Sequence, residues 1–373
     1  MKLLIAPDSF KGRLSAPQAA EIMASAFRRE LPISSAALLP LGDGGEGTAD
    51  CLISAGGIPV CCESVDGYGN PITVRYCIYE SDTAVIDSAS VVPMYAPRRE
   101  PAVASTYGLG APVLDAIRRG CKAILLALGG TGSNDGGCGL AAALGVRFAD
   151  ADGKSFVPCG GTLARIADFD SSAARRALEG VRVCGLCDVD NPFYGPRGAA
   201  HVFAPQKGAD TPTVDRLDAG MEALAALIRR KTGFDLQELA GAGAAGGLGG
   251  GIAAFLGGSL ASGIGTVLRL LRFAERAAEA DLILTGEGCT DEQTLMGKAV
   301  SGVLNAAGET PVVVLSGMVR GVADSLCERG AAAVCAVNRV AADFEKIAAS
   351  AEQTLFDEAV SAARLIALGR RLR

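Results

Sequence analysis

The sequence predicts an α/β fold built from parallel strands and divided into two domains. Six apolar runs have strand length and are hydrophobic almost throughout, which is typical of strands buried on both faces. Segments with helical spacing lie between them, and this alternation favours parallel sheets covered by helices. The chain of 373 residues also exceeds what a single core usually carries. The six runs are residues 2–6, 36–41, 123–128, 181–186, 281–285 and 311–315.

The first predicted helix follows the first strand. Ser15 can cap it by accepting a backbone hydrogen bond, and Pro17 stands in the first turn, where its missing N–H is tolerated. The spacing therefore predicts a helix over residues 16–30. Near the other end, apolar residues at helical spacing predict a packing helix over residues 342–372 with a solvated, arginine-rich end.

A different pattern begins near Asp66. Residues 65–89 read as two alternating strands around a short polar turn, which is typical of antiparallel pairing. The parallel-strand pattern returns near residue 281, so we expect an inserted domain. The predicted division is 1–66 with 284–373 in one domain, and 67–283 in the other.

Composition excludes several classes of protein. A net charge of −6 and no basic stripe make nucleic acid an unexpected partner. The N-terminal apolar run is too short for a signal sequence, so we expect a cytoplasmic protein. Residues 239–268 carry no charge, but their many glycines favour a loop that opens onto a buried helix over a membrane span.

Cysteine and histidine offer little chemistry. The 12 cysteines are scattered in apolar company, which suits a reducing compartment. Cys184 and Cys187 form a C-x-x-C within a predicted strand, and no second pair completes a zinc site. His201 is the one histidine of the chain, and we expect it to be structural.

Each of the six apolar runs is followed by a glycine-rich loop, and five of these loops also carry acids or amides. In open α/β sheets, ligands bind outside the carboxyl ends of the strands, so the loops predict one shared cleft. Each loop can also be a plain turn whose Asp caps the next helix. The loops are residues 7–12, 42–47, 129–137, 187–198, 286–294 and 316–318.

These loops favour phosphoryl transfer. Glycine lets backbone N–H groups approach phosphate oxygens, and Mg²⁺ can lie between phosphates and carboxylates. Lys11, Lys207 and Lys298 could neutralise the transferring charge. The phosphate-binding P-loop signature is missing, and "GLGGGIAAFLGG" matches the dinucleotide fingerprint loosely. An NAD(P)-dependent oxidoreductase for a small hydroxy acid and a non-catalytic sugar-acid binding protein therefore stay open.

Taken together, the loops resemble the bacterial two-domain glycerate kinases from Lys2 to about Gly317. The motifs that carry the resemblance are "LLIAPDSFKGRLSA", "LPLGDGGEGT", "LGGTGSNDGG", "CDVDNPFYGPRGAAHVFAPQKGA", "GAGAAGGLGGG" and "LTGEGCTDEQTLMGKA". The resemblance implies ATP-dependent phosphorylation of D-glycerate, commonly at the 2-hydroxyl, with Mg²⁺. It also implies a Rossmann-like domain made from both chain ends, an inserted mixed α/β domain, and an active-site cleft between them.

Several positions depart from the family pattern. Arg13 replaces a small residue, and "GGTGSNDGG" stands where the family more often has GGSATNDGG. Cys289 and Thr290 occupy a site that is usually Arg plus an aliphatic residue, and Asp87 is shorter than the expected Glu. If the missing arginine held phosphate or the substrate carboxylate, Arg13 could replace it.

The candidate site residues come from these loops. Asp188 is the favoured base because it directly follows a buried strand, although Asp43, Glu46 and Asp190 are further candidates for base or metal ligand. The partner is a small molecule, a homodimer is left open, and domain closure over the substrates is expected. The candidates are Asp188, Lys11, Asp8 and Asp43 for catalysis; Ser9, Ser133, Asn134, Asp135, Asn191, Gln206, Lys207, Glu287, Asp291 and Lys298 for substrate or nucleotide; and Glu46 and Asp190 for metal.

Overall fold

The computed structural model describes residues 1–10, 13–295, 297–338 and 349–372. The strands are β1 (Lys2–Ile5), β2 (Ser35–Leu38), β3 (Ile58–Val65), β4 (Pro71–Tyr79), β5 (Thr83–Asp87), β6 (Ala123–Ala127), β7 (Arg147–Ala149), β8 (Ser155–Phe156), β9 (Asp168–Asp170), β10 (Arg182–Leu186), β11 (Ser259–Ala261), β12 (Leu282–Thr285), β13 (Cys289–Thr290), β14 (Val312–Ser316), β15 (Met318–Val319) and β16 (Ala331–Ala336).

The α-helices alternate with these strands along most of the chain. They are α1 (Ala16–Glu30), α2 (Thr48–Ser54), α3 (Gly110–Arg118), α4 (Cys138–Ala143), α5 (Ser172–Ala177), α6 (Ala199–Phe203), α7 (Thr211–Thr232), α8 (Ala244–Leu256), α9 (Gly263–Leu270), α10 (Phe273–Ala278), α11 (Glu292–Leu295), α12 (Ala299–Ala306), α13 (Ala323–Glu328) and α14 (Ala351–Arg371). Within the described ranges, no helix is long and apolar enough to cross a membrane.

The chain divides into two compact units. The first unit comprises Met1–Asp43, Ser54–Gly56 and Ile264–Arg373, and the second comprises Gly44–Ile53 and Gly57–Gly263. These divisions differ from the predicted boundaries at residues 66 and 283. β3 pairs along its length with β4 in the second unit, while the Thr310 hydroxyl donates to the carbonyl of Ala277 at 2.8 Å in the first. The compact units therefore have other bounds than the predicted domains, which stay a prediction.

The first unit contains a five-stranded sheet in the order β16–β14–β12–β1–β2, and all of its pairs are parallel. Four of the six predicted runs form strands of this sheet. α1 spans the predicted residues 16–30, and Ser15 accepts its capping bond from the N–H of Gln18. α14 packs with α1 in one hydrophobic core, whereas residues 342–348 of the predicted terminal helix lie outside the described residues.

The second unit contains a six-stranded mixed sheet in the order β11–β10–β6–β5–β4–β3. Its strands β5, β6, β10 and β11 are parallel, whereas β4 is antiparallel to both neighbours. The predicted antiparallel pattern after Asp66 is thus confirmed by β4 and β5. A second, three-stranded antiparallel sheet has the order β8–β7–β9. The α/β class, with one parallel and one mixed sheet, is confirmed.

The glycine-rich segment forms a left-handed turn that opens onto the buried helix of α8, as the sequence predicted. Ala245, Gly246 and Gly247 have left-handed φ values of 56°, 67° and 87°, and regular helix follows. A Cβ on Gly246 would lie 2.1 Å from the carbonyl oxygen of Ser133, so only glycine fits there. The N–H of Gly136 donates to the carbonyl of Gly246 at 3.0 Å, which joins this turn to the 129–137 loop.

Candidate active site

A cavity of about 280 Å³ lies at the carboxyl ends of the strands in the first unit. The loops after β1, β12, β14 and β16 and the start of α14 surround it. This is the edge of a parallel sheet at which ligands bind in open α/β folds. The lining residues are Ser9, Phe10, Arg13, Glu287, Gly288, Cys289, Asp291, Gln293, Lys298, Gly317, Val337, Asn338, Ala351 and Thr354.

Backbone hydrogen bonds fix the loop after β1 against the loop after β12. The N–H of Asp8 donates to the carbonyl of Gly286 at 2.8 Å, and the Thr285 hydroxyl donates to the carbonyl of Ala6 at 2.8 Å. The Asp8 carboxylate is buried and accepts from the N–H of Ser9 at 2.6 Å. Asp8 therefore holds the turn that presents Ser9 to the cavity.

Two glycines let the loops after β12 and β14 meet backbone to backbone. A Cβ on Gly286 would lie 1.8 Å from the carbonyl oxygen of Leu315, and one on Gly317 would lie 2.4 Å from that of Gly288. The N–H of Gly317 donates to the carbonyl of Glu287 at 2.9 Å. The glycines that suggested a ligand site are thus required first for the approach of two protein loops.

Charged side chains of both signs line this cavity. The Lys298 ammonium donates to Gln293 Oε1 at 2.8 Å, and the Asp291 carboxylate accepts from the N–H of Gln293 at 3.0 Å. Glu287 is buried and accepts from the Thr294 hydroxyl at 2.7 Å. The structure therefore brings together Ser9, Glu287, Asp291 and Lys298, as well as Arg13. Lys11 lies outside the described residues.

In the second unit, the loop after β6 is held by hydroxyl groups. The Ser88 hydroxyl donates to the carbonyl of Ala127 at 2.7 Å, and the Thr131 hydroxyl donates to the carbonyl of Leu128 at 2.7 Å. The two hydroxyls also pair with each other, and both are buried. The 129–137 loop therefore leaves the strand in one fixed conformation.

Asp135 is fully buried, and its carboxylate accepts from five donors. These are the N–H and hydroxyl of Thr106, at 2.7 and 2.8 Å, the N–H groups of Gly137 and Gly139, at 3.1 and 3.2 Å, and the Ser105 hydroxyl, at 3.4 Å. Burial raises the pKa of the Asp135 carboxyl, although these hydrogen bonds oppose the rise. Asp135 thus organises the loop and the start of α4.

Two side-chain oxygen atoms next to Asp135 in the sequence, on Ser133 and Asn134, are buried and form no hydrogen bond with the protein. Across the described part of the chain, Ser133 Oγ and Asn134 Oδ1 are the fully buried side-chain atoms that lack a hydrogen bond. The buried Lys207 ammonium donates to the carbonyl of Ser133 at 2.7 Å. Burial lowers the pKa of Lys207 to about 7, and the nearby Asp135 acts in the opposite direction. Buried unsatisfied polar atoms are costly, which is typical of a site that awaits a ligand.

The remaining candidates of the second unit are more dispersed. The half-buried Asp188 accepts from the Ser262 hydroxyl at 2.7 Å and from the N–H of Gly263 at 2.9 Å. Asn191 donates to the carbonyl of Arg197 at 2.8 Å, and Asp190 is exposed, 3.7 Å from the Arg197 guanidinium. Gln206 is exposed, next to the buried Lys207.

The two acids of the 42–47 loop fall in different units. Asp43 is half-buried at the end of a first-unit segment, and Glu46 is an exposed second-unit residue. The Glu46 carboxylate lies 3.6 Å from the position that a Cβ on Gly130 would occupy, so it stands beside the 129–137 loop. Within the described ranges, no group of three or more His, Cys, Asp or Glu side chains is arranged to hold a metal ion.

Asp87 has a role that the sequence did not suggest. It is buried at the end of β5 and accepts from the N–H groups of Gly47 and Ala49, at 2.8 and 3.1 Å. Burial raises the pKa of Asp87 to about 7, with a further contribution from the nearby Asp50 and Glu46. Asp87 thereby ties the turn that carries Glu46 to the sheet of the second unit.

Two further cavity residues, Val337 and Asn338, were missed because their strand was missed, whereas Thr354 lies in a predicted helix and was not singled out. Val337 and Asn338 follow β16, whose sequence is a short alanine-rich run, and Thr354 lies in α14. The signal available was the run "AAAVCAV" followed directly by Asn338. It resembles the other strand-to-loop junctions, but it lacks glycine and acid.

Comparison with known proteins places these loops in context. Residues 3–367 match the model of the glycerate kinase family. The chain is 36% identical to a glycerate kinase of Bacillus subtilis over 97% of both chains, and 35% identical to a glycerate 2-kinase of Escherichia coli over 85% of both. A crystal structure of a Salmonella typhimurium protein, provisionally named glycerate kinase 2, has a TM-score of 0.85 and 35% identity, covering 100% of this chain and 99% of that one.

Proposed function

The chain belongs to the glycerate kinase family and is an enzyme, and from this premise we propose that it transfers the γ-phosphoryl group of ATP to D-glycerate with Mg²⁺. The observation that carries the proposal is the extent of the family match. It spans residues 3–367, and so includes both units and all six glycine-rich loops. A kinase of this family requires a nucleotide and a small hydroxy acid as its two substrates.

We propose the 2-hydroxyl of glycerate as the acceptor. The relative from Escherichia coli carries the name glycerate 2-kinase at 35% identity, which supports 2-phosphoglycerate as the product. Which hydroxyl faces the γ-phosphate depends on placement at the level of about an ångström. The product therefore has to be identified directly.

Magnesium in kinases is commonly held by one or two carboxylates together with phosphate oxygens. Glu46 suits this role in the proposal, because its exposed carboxylate stands beside Gly130 in a loop after a parallel strand. Asp190 and Asp43 are further proposed ligands. When bound, the ion would neutralise charge on the phosphates.

The roles of the side chains follow from their surroundings. We assign the glycerate hydroxyl proton to Asp188, whose carboxylate is oriented by Ser262 and the N–H of Gly263. Lys298 and Lys11 are proposed to neutralise charge on the transferring group, as lysines do in phosphoryl transfer. Ser133 and Asn134 are proposed to bind glycerate through their buried, unpaired oxygen atoms.

Neither alternative is favoured by the relatives. The curated relatives cited above are named as glycerate kinases, and none is named as an oxidoreductase or a binding protein. The dinucleotide-like glycines lie in α8, where the backbone of the 129–137 loop packs closely against Gly246 and Gly251. The space beside those glycines is therefore taken by protein.

The test is a coupled assay of ADP release with purified protein, ATP, Mg²⁺ and D-glycerate. We expect turnover with D-glycerate and none with L-glycerate or without Mg²⁺. Phosphorus NMR of the product then distinguishes 2-phosphoglycerate from 3-phosphoglycerate. Absence of ADP release with D-glycerate would refute the proposal, and a 3-phosphoglycerate signal would refute its finer part.

A further inference from the structure

We infer that the cavity of the first unit binds the adenosine part of ATP rather than glycerate. The inference rests on the proposed function, because it takes ATP and glycerate as the two substrates. It assigns ATP to the cavity of the first unit, and four properties of this cavity support the assignment.

The first property is the position of the cavity in the sheet. Counted along the chain, the five strands of the first unit have the spatial order 2-1-3-4-5, in which β1 lies between β2 and β12. The strand order reverses between β1 and β12. In open α/β sheets, nucleotides and related cofactors bind at this switch point. The loops after these two strands contribute Ser9, Phe10, Glu287 and Cys289 to the cavity.

The second property is size. The cavity has a volume of about 280 Å³, close to the roughly 300 Å³ at which pockets for drug-sized ligands begin. A nucleoside fills such a volume. Glycerate, a small anion with one carboxylate and two hydroxyls, would leave most of it empty.

The third property is the mixed polarity of the walls. Phe10, Val337 and Ala351 provide apolar surface that suits the faces of a purine ring. Asn338 and Thr354 add an amide and a hydroxyl on the same cavity, and these groups can both donate and accept hydrogen bonds. A purine edge and a ribose carry both kinds of group, whereas a small carboxylate needs mainly donors.

The fourth property is the placement of the cations. Arg13 and Lys298 line the cavity together with the apolar groups, and the Lys298 ammonium is oriented by Gln293. Positive groups beside a nucleoside pocket suit a phosphate chain that leaves it. The carboxylate of Glu287, by contrast, is already bound by Thr294, and its charge opposes the binding of an acid substrate.

Cys289 provides a direct reporter, because it lines this cavity and is partly accessible. Cys327, in α13 of the same unit, is exposed and does not line the cavity, so it serves as the internal control. The full-length protein is labelled with iodoacetamide, and the labelling rate at each cysteine is followed by mass spectrometry. Burial raises the pKa of the Cys289 thiol, so the labelling is done at mildly alkaline pH.

Four probes separate the possible occupants: ATP, adenosine, inorganic tripolyphosphate and D-glycerate. We expect ATP and adenosine to slow the labelling of Cys289 at least about tenfold at saturation, with Cys327 unchanged. Protection by D-glycerate, or by tripolyphosphate but not adenosine, would overturn the inference, as would the absence of protection by any probe.

A substitution that fills the cavity with a larger side chain tests the same inference without relying on thiol reactivity. Ala351→Leu places a larger side chain in the cavity at the start of α14, and we expect a KM for ATP raised about tenfold with the KM for glycerate unchanged. Gln353→Leu is the matched control, because Gln353 is exposed on the same helix and does not line this cavity. A rise in the KM for glycerate alone would contradict the assignment.

The labelling and KM experiments can fail independently of the assay for glycerate phosphorylation. If adenosine protects Cys289 but glycerate is not phosphorylated, the nucleotide site stands and the proposed acceptor is wrong. If glycerate is phosphorylated and adenosine does not protect, the activity stands and the nucleotide lies elsewhere.

Discussion

In the first unit, Arg13, Asp291 and Lys298 surround a cavity of about 280 Å³, whereas in the second unit Asp135 and Lys207 are buried in contact with protein atoms. The charged groups of the first unit face space that a ligand can fill. Those of the second unit hold the 129–137 loop, and they leave two oxygen atoms without a partner, Ser133 Oγ and Asn134 Oδ1.

This difference separates two ways in which a polar residue serves a site. A residue at a cavity wall is expected to change binding and rate when it is replaced, with little effect on stability. A residue inside a hydrogen-bond network is expected to change stability first, because its loss leaves buried donors unpaired. Four predictions test this division.

The largest expected effect is on stability in the second unit. Asp135→Ala removes the acceptor for the N–H and hydroxyl of Thr106 and for the N–H groups of Gly137 and Gly139. We expect the free energy of unfolding to fall by about 3–5 kcal/mol, measured by urea denaturation. Asp190→Ala, at a side chain that is 79% exposed, is the control, with a change within about 0.5 kcal/mol. Equal effects would break the comparison.

The next effect is a pH dependence of stability caused by Asp87. Its pKa is raised from 3.8 to about 7 by burial, so the folded state holds a proton that the unfolded state releases between those values. Stability should therefore fall as the pH rises from about 4 to about 7, by at most about 4 kcal/mol, and then level off. Urea denaturation across this range should show a flatter dependence in Asp87→Asn. An unchanged slope would show that other groups are responsible.

A smaller effect is expected on catalysis in the first unit. Lys298→Met removes a cation from the cavity wall, and we expect kcat/KM for ATP to fall about a hundredfold. Stability should be nearly unchanged, because Lys298 is half-buried and donates its hydrogen bond to the side-chain amide of Gln293. Lys298→Arg is the matched variant and should recover part of the rate. A large loss of stability would place Lys298 among the structural residues.

The smallest effect is expected at Ser133, which is buried like the structural residues and is also a candidate contact for glycerate. Ser133→Ala removes a buried hydroxyl that has no partner, so the free energy of unfolding should stay the same or rise by about 1 kcal/mol. If this hydroxyl binds glycerate, kcat/KM for glycerate should fall about tenfold, measured by ADP release. Thr131→Ala is the control, because its hydroxyl is bonded to Leu128 and Ser88, and its loss should cost stability. A destabilised Ser133→Ala would reverse the interpretation.

The sequence predicted the sheets well because continuous apolar runs identify buried parallel strands. β1, β6, β10, β12 and β14 lie within one residue of their predicted runs. The unit boundaries were less predictable, because β3 and β4 form one hairpin across residue 66, where the change of pattern had suggested a boundary. β16 was missed because its alanines carry little hydrophobic signal.

For the site, the sequence predicted the loops. It did not predict which of their side chains form hydrogen bonds within the protein and which are open to a ligand. A motif such as Ser133–Asn134–Asp135 gives no indication of which side chain turns inward to the protein. That choice is set by the N–H groups at the start of α4 together with the donors of Thr106, which lies 29 residues away in the sequence. The placement of Asp188 against Ser262 is equally non-local.

The many glycines of α8 have a consequence for protein engineering. A Cβ on Gly247, Gly250 or Gly251 would lie within 2.7 Å of Met221, Phe193 or the backbone of Gly136. Neighbouring residues therefore pack directly against the backbone of this helix. Replacement of glycine by alanine, a common way to stabilise helices, should fail throughout this segment. Gly369 in α14 has no neighbour within 4 Å and a helical conformation, so the same change there should add about 0.5–1 kcal/mol. A thermostable variant would thus gain from glycine replacement in α14 and must keep the glycines of α8.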